Sequence, residues 1–119
     1  MKKLTHLILL LVPLVSFSQD YQWGGSMGNY ERDFATSVAV DASGNVYTTG
    51  YFEVTVDFDP GPGVVNLTSN GNHDIFVSKL DANGNYVWAQ NLGSASFDEG
   101  RAITVDAAGN VYVTGAFQG

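Results

Sequence analysis

Apolar and polar positions alternate in short runs along this chain, and the runs are separated by glycine-rich breaks. Val38 and Val40 share one face of a run over Thr36–Val40, which predicts a strand. Val46–Phe52 is rich in β-branched and aromatic residues and reads as a second strand. Asp74–Leu80, with Ile75, Phe76, Val77 and Leu80, and Tyr86–Leu92, with Val87, Trp88 and Leu92, read as a third and a fourth. These strands are apolar on both faces, as expected of a sheet sandwiched between neighbours. Strands one and two are joined by Asp41-Ala42-Ser43-Gly44-Asn45, and strands three and four by Asp81-Ala82-Asn83-Gly84-Asn85. The glycine supplies a positive-φ position for the reversal, and the Asp side chain can accept from backbone N–H groups two residues on. Hairpins so joined predict an antiparallel meander, all-β, with no helix after the first residues.

The pattern then repeats. Val40–Gly50 returns as Val105–Gly115, 65 residues later, with a partial copy at Leu80–Trp88. Aligning 23–54 with 88–119 without a gap gives 13 identities in 32 positions, among them Trp23/Trp88, Asp33/Asp98, Tyr47/Tyr112 and Phe52/Phe117. The commonest residues, at about 7% each, would give about two by chance. The opening Tyr21–Gly25 matches the fourth strand, so the expected organisation is the last strand of one unit at 21–28, a full repeat over 33–93 and the start of the next over 98–119. Between strands two and three, Glu53–Phe58 alternates with Val54, Val56 and Phe58 on one face. Asp59-Pro60-Gly61-Pro62-Gly63 turns, and Val64–Thr68 returns. Two prolines cannot donate to a ladder, and an accessory hairpin is predicted here.

Residues 1–18 stand apart. Lys2 and Lys3 precede an apolar stretch from Leu7 to Val15, and Ser16-Phe17-Ser18 places small residues before Gln19. That is the layout of a secretory signal peptide, too short for a membrane anchor, which needs about 20 apolar residues. Its removal leaves three Lys and Arg against twelve Asp and Glu, a net charge of −9 over 19–119. With Arg32, Lys79 and Arg101 as the remaining cations, a nucleic-acid partner is disfavoured. There are no cysteines, so disulfides and thiolate metal sites are excluded.

The run Asp-Ala-x-Gly-Asn-Val-Tyr-x-Thr-Gly, followed by Phe58-Asp59-Pro60-Gly61-Pro62-Gly63 and Asp74-Ile75-Phe76-Val77-Ser78-Lys79-Leu80-Asp81, resembles the bacterial seven-bladed β-propeller repeat (SBBP) family over nearly all of 21–119. The resemblance implies exported proteins built from successive four-stranded blades, often beside other extracellular modules and a C-terminal sorting signal. The family shares no catalytic residues, so none is implied here. A ring of 4–8 blades at this period would need roughly 260–520 residues. The expectation is therefore an N-terminal fragment of an incomplete ring, with neighbouring blades in a longer chain, and self-assembly into a ring as the alternative.

Candidate chemistry is sparse. Asp81, Asn83 and Asn85 have oxygens at calcium-loop spacing, but positions six and twelve are Tyr86 and Leu92, where an EF-hand wants Gly and Glu; a structural turn is expected. Asp57 with Asp59, and Asp98 with Glu99, are carboxylate pairs of the kind a glycosidase would use, though strand neighbours meet that spacing by accident and solvated or cation-touching loop acids are expected. His73 beside Asp74 is the one histidine after the leader, and zinc wants three or four ligands. No Gly-x-Ser-x-Gly elbow or phosphate-binding glycine loop occurs. Asn66-Leu67-Thr68 is a glycosylation sequon. Trp23 and Trp88 read as blade-packing residues rather than sugar platforms. The expected catalytic, cofactor-binding and metal residues are therefore none, and the expected cofactors none. The expected function is an exported structural or interaction module with an unknown protein or glycan partner and no membrane span after leader removal. The alternatives are part of a cell-surface enzyme or polysaccharide-handling protein, or a calcium-stabilised adhesin.

Overall fold

Residues 21–118 are described in this computed structural model, and the signal-peptide expectation over 1–18 lies outside them. Eight strands follow in order: β1 Asp33–Val40, β2 Val46–Phe52, β3 Thr55–Asp57, β4 Asn66–Thr68, β5 Asp74–Leu80, β6 Tyr86–Leu92, β7 Glu99–Val105 and β8 Val111–Ala116. No helix occurs among the described residues. β1, β2, β5 and β6 form one antiparallel sheet in that spatial order, with β3–β4 and β7–β8 as two separate hairpins. Rungs run straight across the first sheet: Val46 pairs with Val40 on one side and with Leu80 on the other. β2, β5 and β6 have the bounds their side-chain alternation predicts. β1 begins three residues earlier, because Asp33, Phe34 and Ala35 still find partners in Phe52, Tyr51 and Gly50.

The two faces of this sheet bury different things. On one, Tyr47, Ile75 and Val77 pack with Ile103 of β7, flanked by Ala39, Trp88, Val111 and Val113. This is the contact between the first sheet and β7–β8. On the other, Phe52 and Phe76 meet Val56 and Phe58 of the accessory hairpin region, with Met27 and Leu67 at the margin. The Phe52, Phe58 and Phe76 rings lie 5.1–6.5 Å apart in tilted and edge-to-face pairs, each burial contributing about 1.5–3 kcal/mol. β5 is buried on both faces, as a strand in the middle of a stack must be.

The repeat extends to irregularities. β1 slips register against β2 between Ala35 and Ser37, and β7 against β8 between Gly100 and Ala102, the same bulge 65 residues on. A bulge bends a strand and raises its twist, and here it brings the two sheets into hydrogen-bonding range. The Thr36 hydroxyl, at the first bulge, donates to the Gly100 carbonyl at 2.7 Å.

Three expectations need correction. Residues 21–28 form no strand. β6, their counterpart, is held by β5, whereas no described strand pairs with 21–28. The accessory hairpin forms, but with three pairs only, Thr55–Thr68, Val56–Leu67 and Asp57–Asn66. Val54 does not share a face with Val56: its φ of 62° breaks the alternation and turns its side chain into solvent. Finally, the first sheet is not covered on both faces throughout, since Val38 and Val40 are 61% and 60% exposed.

Candidate functional site

The three Asp-Ala-x-Gly-Asn corners are built alike. In each, the aspartate N–H donates to the asparagine carbonyl and the glycine N–H to the aspartate carbonyl, at 2.8–3.1 Å. One carboxylate oxygen accepts the backbone N–H groups two and four residues on, from Ser43 and Asn45 to Asp41, from Asn83 and Asn85 to Asp81, and from Ala108 and Asn110 to Asp106. The other accepts the asparagine side-chain amide at 2.7–3.0 Å. In the first and last corners the Tyr47 and Tyr112 hydroxyls join it, both at 3.1 Å. The asparagine amide, first among these donors, holds Asp41, Asp81 and Asp106 below the ordinary carboxylate range. At Asp81, Asn83 and Asn85 the side facing the carboxylate carries N–H donors, where a calcium loop would need oxygens. Among the described residues no three acids or histidines converge as a metal site.

The other acids organise loops. Asp57 accepts from the backbone of Asp59 and Val65, the Val65 bond being the main cause of its lowered pKa. Asp59 accepts from Gly61, so these two carboxylates fix the Pro-Gly turn. Asp98 is fully buried and accepts backbone N–H groups from Ser94 at 2.5 Å and Gln118 at 2.9 Å, tying the end of β6 to the end of β8. Glu99 lies toward Arg101 at 3.7 Å. The adjacent pair thus splits between interior and surface. Asn66 of the sequon is exposed on β4.

His73 is not the isolated residue its sequence neighbours suggest. Its Nε2 pairs with the Glu53 carboxylate, and its ring sits 5.0 Å from both Tyr51 and Phe97. Its backbone carbonyl accepts from Asp98 N. Tertiary closure brings Glu53 here from 20 residues away, which no local spacing announces. Trp88 packs edge-on to Tyr47 at 6.2 Å in the contact between the sheets. Trp23 covers the Asp81 corner, its indole N–H donating to the Ala82 carbonyl at 3.0 Å.

A ligand-sized space of mixed chemistry lies where two corners meet. A cleft of about 440 Å³ is lined by corner 41–45 and corner 106–110, and Tyr47 and Lys79 share its wall with Asp41 and Asp106. The Lys79 ammonium sits 5.0 Å from the centre of the Tyr47 ring, an arrangement that fixes a cation beside an aromatic wall. Such a site can receive a neutral hydroxyl-bearing group on Lys79, beside the ionised carboxylates of both corners. Lys79 is one of the three cations that follow the leader, and nothing in its sequence neighbours places it in a cleft. Its register places it: β5 pairs Lys79 with Tyr47 of β2, two residues before the Asp81 corner.

Comparison with known proteins agrees with this architecture. Two segments, 24–51 and 87–116, match the model of a family described as Beta-propeller repeat (SBBP). An uncharacterized WD repeat-containing protein of Acanthamoeba polyphaga mimivirus is 30% identical over 109 residues, 80% of this chain. The chain spans 8% of that relative's length.

Proposed function

We propose, from the premise that this chain is a member of the β-propeller repeat family on the two matched segments, that it is a non-catalytic interaction module that presents the cleft between its corners to a protein or glycan partner. The observation that carries the reading is the placement of Lys79 in one wall with two corners whose own carboxylates are already engaged by internal donors. Asp41 and Asp106 stay ionised beside Lys79, so the cleft suits a neutral hydroxylated ligand, which bonds the ammonium without bringing further negative charge. Repeat folds host many activities, so the site and not the fold carries this argument.

The test is binding of the chain to immobilised neutral polysaccharides and glycopeptides, with Lys79→Met alongside. The reading expects at least tenfold weaker binding for the variant at unchanged stability. Equal binding by both proteins, or turnover of any polysaccharide in the panel, would overturn it. Export is part of the same proposal and rests on the layout of residues 1–18. Fused to a phosphatase active only outside the cytoplasm, residues 1–22 should give activity, and replacing Leu9, Leu10 and Leu11 by charged residues should abolish it.

A further inference from the structure

The corner cleft stands at one end of the first sheet, and another cleft stands at the opposite end. β2 runs from Val46, beside the first corner, to Phe52, about 20 Å along, and Glu53 follows it. There the start of the accessory connection, the 68–72 segment before β5 and Phe97 of the loop before β7 enclose a space of about 350 Å³.

Its walls are fixed from behind. Glu53 gives one carboxylate oxygen to the buried His73 Nε2, and its Oε2 has no partner among the described residues. The His73 and Phe97 rings pack edge to face at 5.0 Å, which leaves Phe97 43% exposed. Asn72 N donates to the Ser96 carbonyl at 3.1 Å and Asp98 N to the His73 carbonyl at 2.9 Å, tying one wall to the other. Gly71 comes so close that a Cβ there would lie 2.4 Å from the Ala95 carbonyl carbon. Val54 lines the same space, held at φ 62° by two bonds with Ser69. Backbone strain of this kind collects where ligands are clamped.

Among the described residues no Lys or Arg lines this cleft, so a carboxylate and an open aromatic ring face it without a countercharge. A guanidinium answers both. Its plane stacks on the ring while its edge N–H groups donate to the carboxylate, and Asn72 of the same wall offers an amide oxygen. We propose that the Glu53–Phe97 cleft binds an arginine side chain of a basic partner polypeptide. The net charge of −9 over 19–119 favours the approach of such a partner. This is a second site with its own ligand, so failure at the Lys79 cleft leaves it standing and the reverse.

The probe is a fluorescent Gly-Ser-Arg-Ser-Gly peptide, titrated into the 119-residue chain and followed by anisotropy. Saturable one-to-one binding is expected, about tenfold weaker for the Glu53→Gln chain and about threefold weaker for Phe97→Leu, both with an unchanged circular dichroism spectrum. Glutamine keeps an acceptor for His73 while removing the charge. The same peptide with citrulline in place of arginine removes the charge from the ligand and leaves the chain unaltered, and it should bind about tenfold more weakly. Lys79→Met should bind the arginine peptide as the parent chain does. No saturable binding, equal binding of the citrulline peptide or of a lysine one, or undiminished binding by both the Glu53 and Phe97 variants overturns the proposal.

Discussion

At the three corners a glycine sits at φ of 83–85°, and the surroundings of each differ. An alanine there meets the left-handed penalty of about 1–2 kcal/mol everywhere. At Gly109 nothing lies within 4 Å of the added carbon, at Gly44 the Ala82 methyl is 3.2 Å away, and at Gly84 the Trp23 ring is 2.7 Å away. Gly84→Ala must also displace Trp23 and its bond to Ala82, adding about 1 kcal/mol. Thermal unfolding should rank the losses Gly84 over Gly44 over Gly109; three equal losses would remove the claim that Trp23 braces this corner. Val54 presents the opposite case. It is a β-branched residue at φ 62° and 54% exposed, so it stores backbone strain with little burial in return. Val54→Gly should raise stability by about 1 kcal/mol, and a lower unfolding midpoint would contradict that. The corners were legible in the sequence because their chemistry is local: Asp, Gly and Asn act within five residues. The Val54 conformation was not, since it is imposed by Ser69, whose N–H donates to the Val54 carbonyl and whose hydroxyl accepts from Val54 N.

Between elements, carboxylates act as backbone acceptors, and this fixes a pH dependence. Asp98, bonded first by the Ser94 N–H, has its pKa lowered, as do Asp57 and the corner acids. A carboxylate whose folded pKa lies below its unfolded value, near 3.9, stabilises the fold above that value. The contribution is lost as pH falls through the folded pKa. The melting temperature should therefore hold level from pH 7 to about 5 and fall progressively below about 4. Asp98→Asn should lower it at pH 7 and flatten the acid limb, because the buried Asp98 carboxylate joins the ends of β6 and β8. A parallel downward shift at every pH would show that Asp98 acts through packing and not through charge. At this scale the strand order was readable, since alternation and turn residues mark each hairpin. The Glu53–His73 pair was not, because it depends on how a long connection folds back on the sheet. The same holds for the strand expected at 21–28, whose side chains read as β6 while the backbone lacks β6's partner.

Across the whole molecule, near-identical sequence is placed in unlike surroundings by its position in the stack. Val38 and Ile103 are repeat equivalents, each two residues before its strand ends at the corner. Ile103 is 8% exposed against Tyr47, Ile75 and Val77, while Val38 is 61% exposed. Propensity and face are the same for both, so their energetic difference comes from the neighbouring sheet alone. Ile103→Ala should cost about 2–4 kcal/mol through lost burial and a residual cavity. Val38→Ala should stay within about 0.5 kcal/mol. Denaturant midpoints measured on the two variants decide the matter. A large loss at Val38 would mean that its face is covered in solution by another sheet, as Ile103's is here. Comparable small losses at both would mean that β7–β8 does not pack on the first sheet as a single cooperative unit. The expected asymmetry, one position critical and its copy tolerant, follows from a repeat whose units stabilise one another only through shared faces.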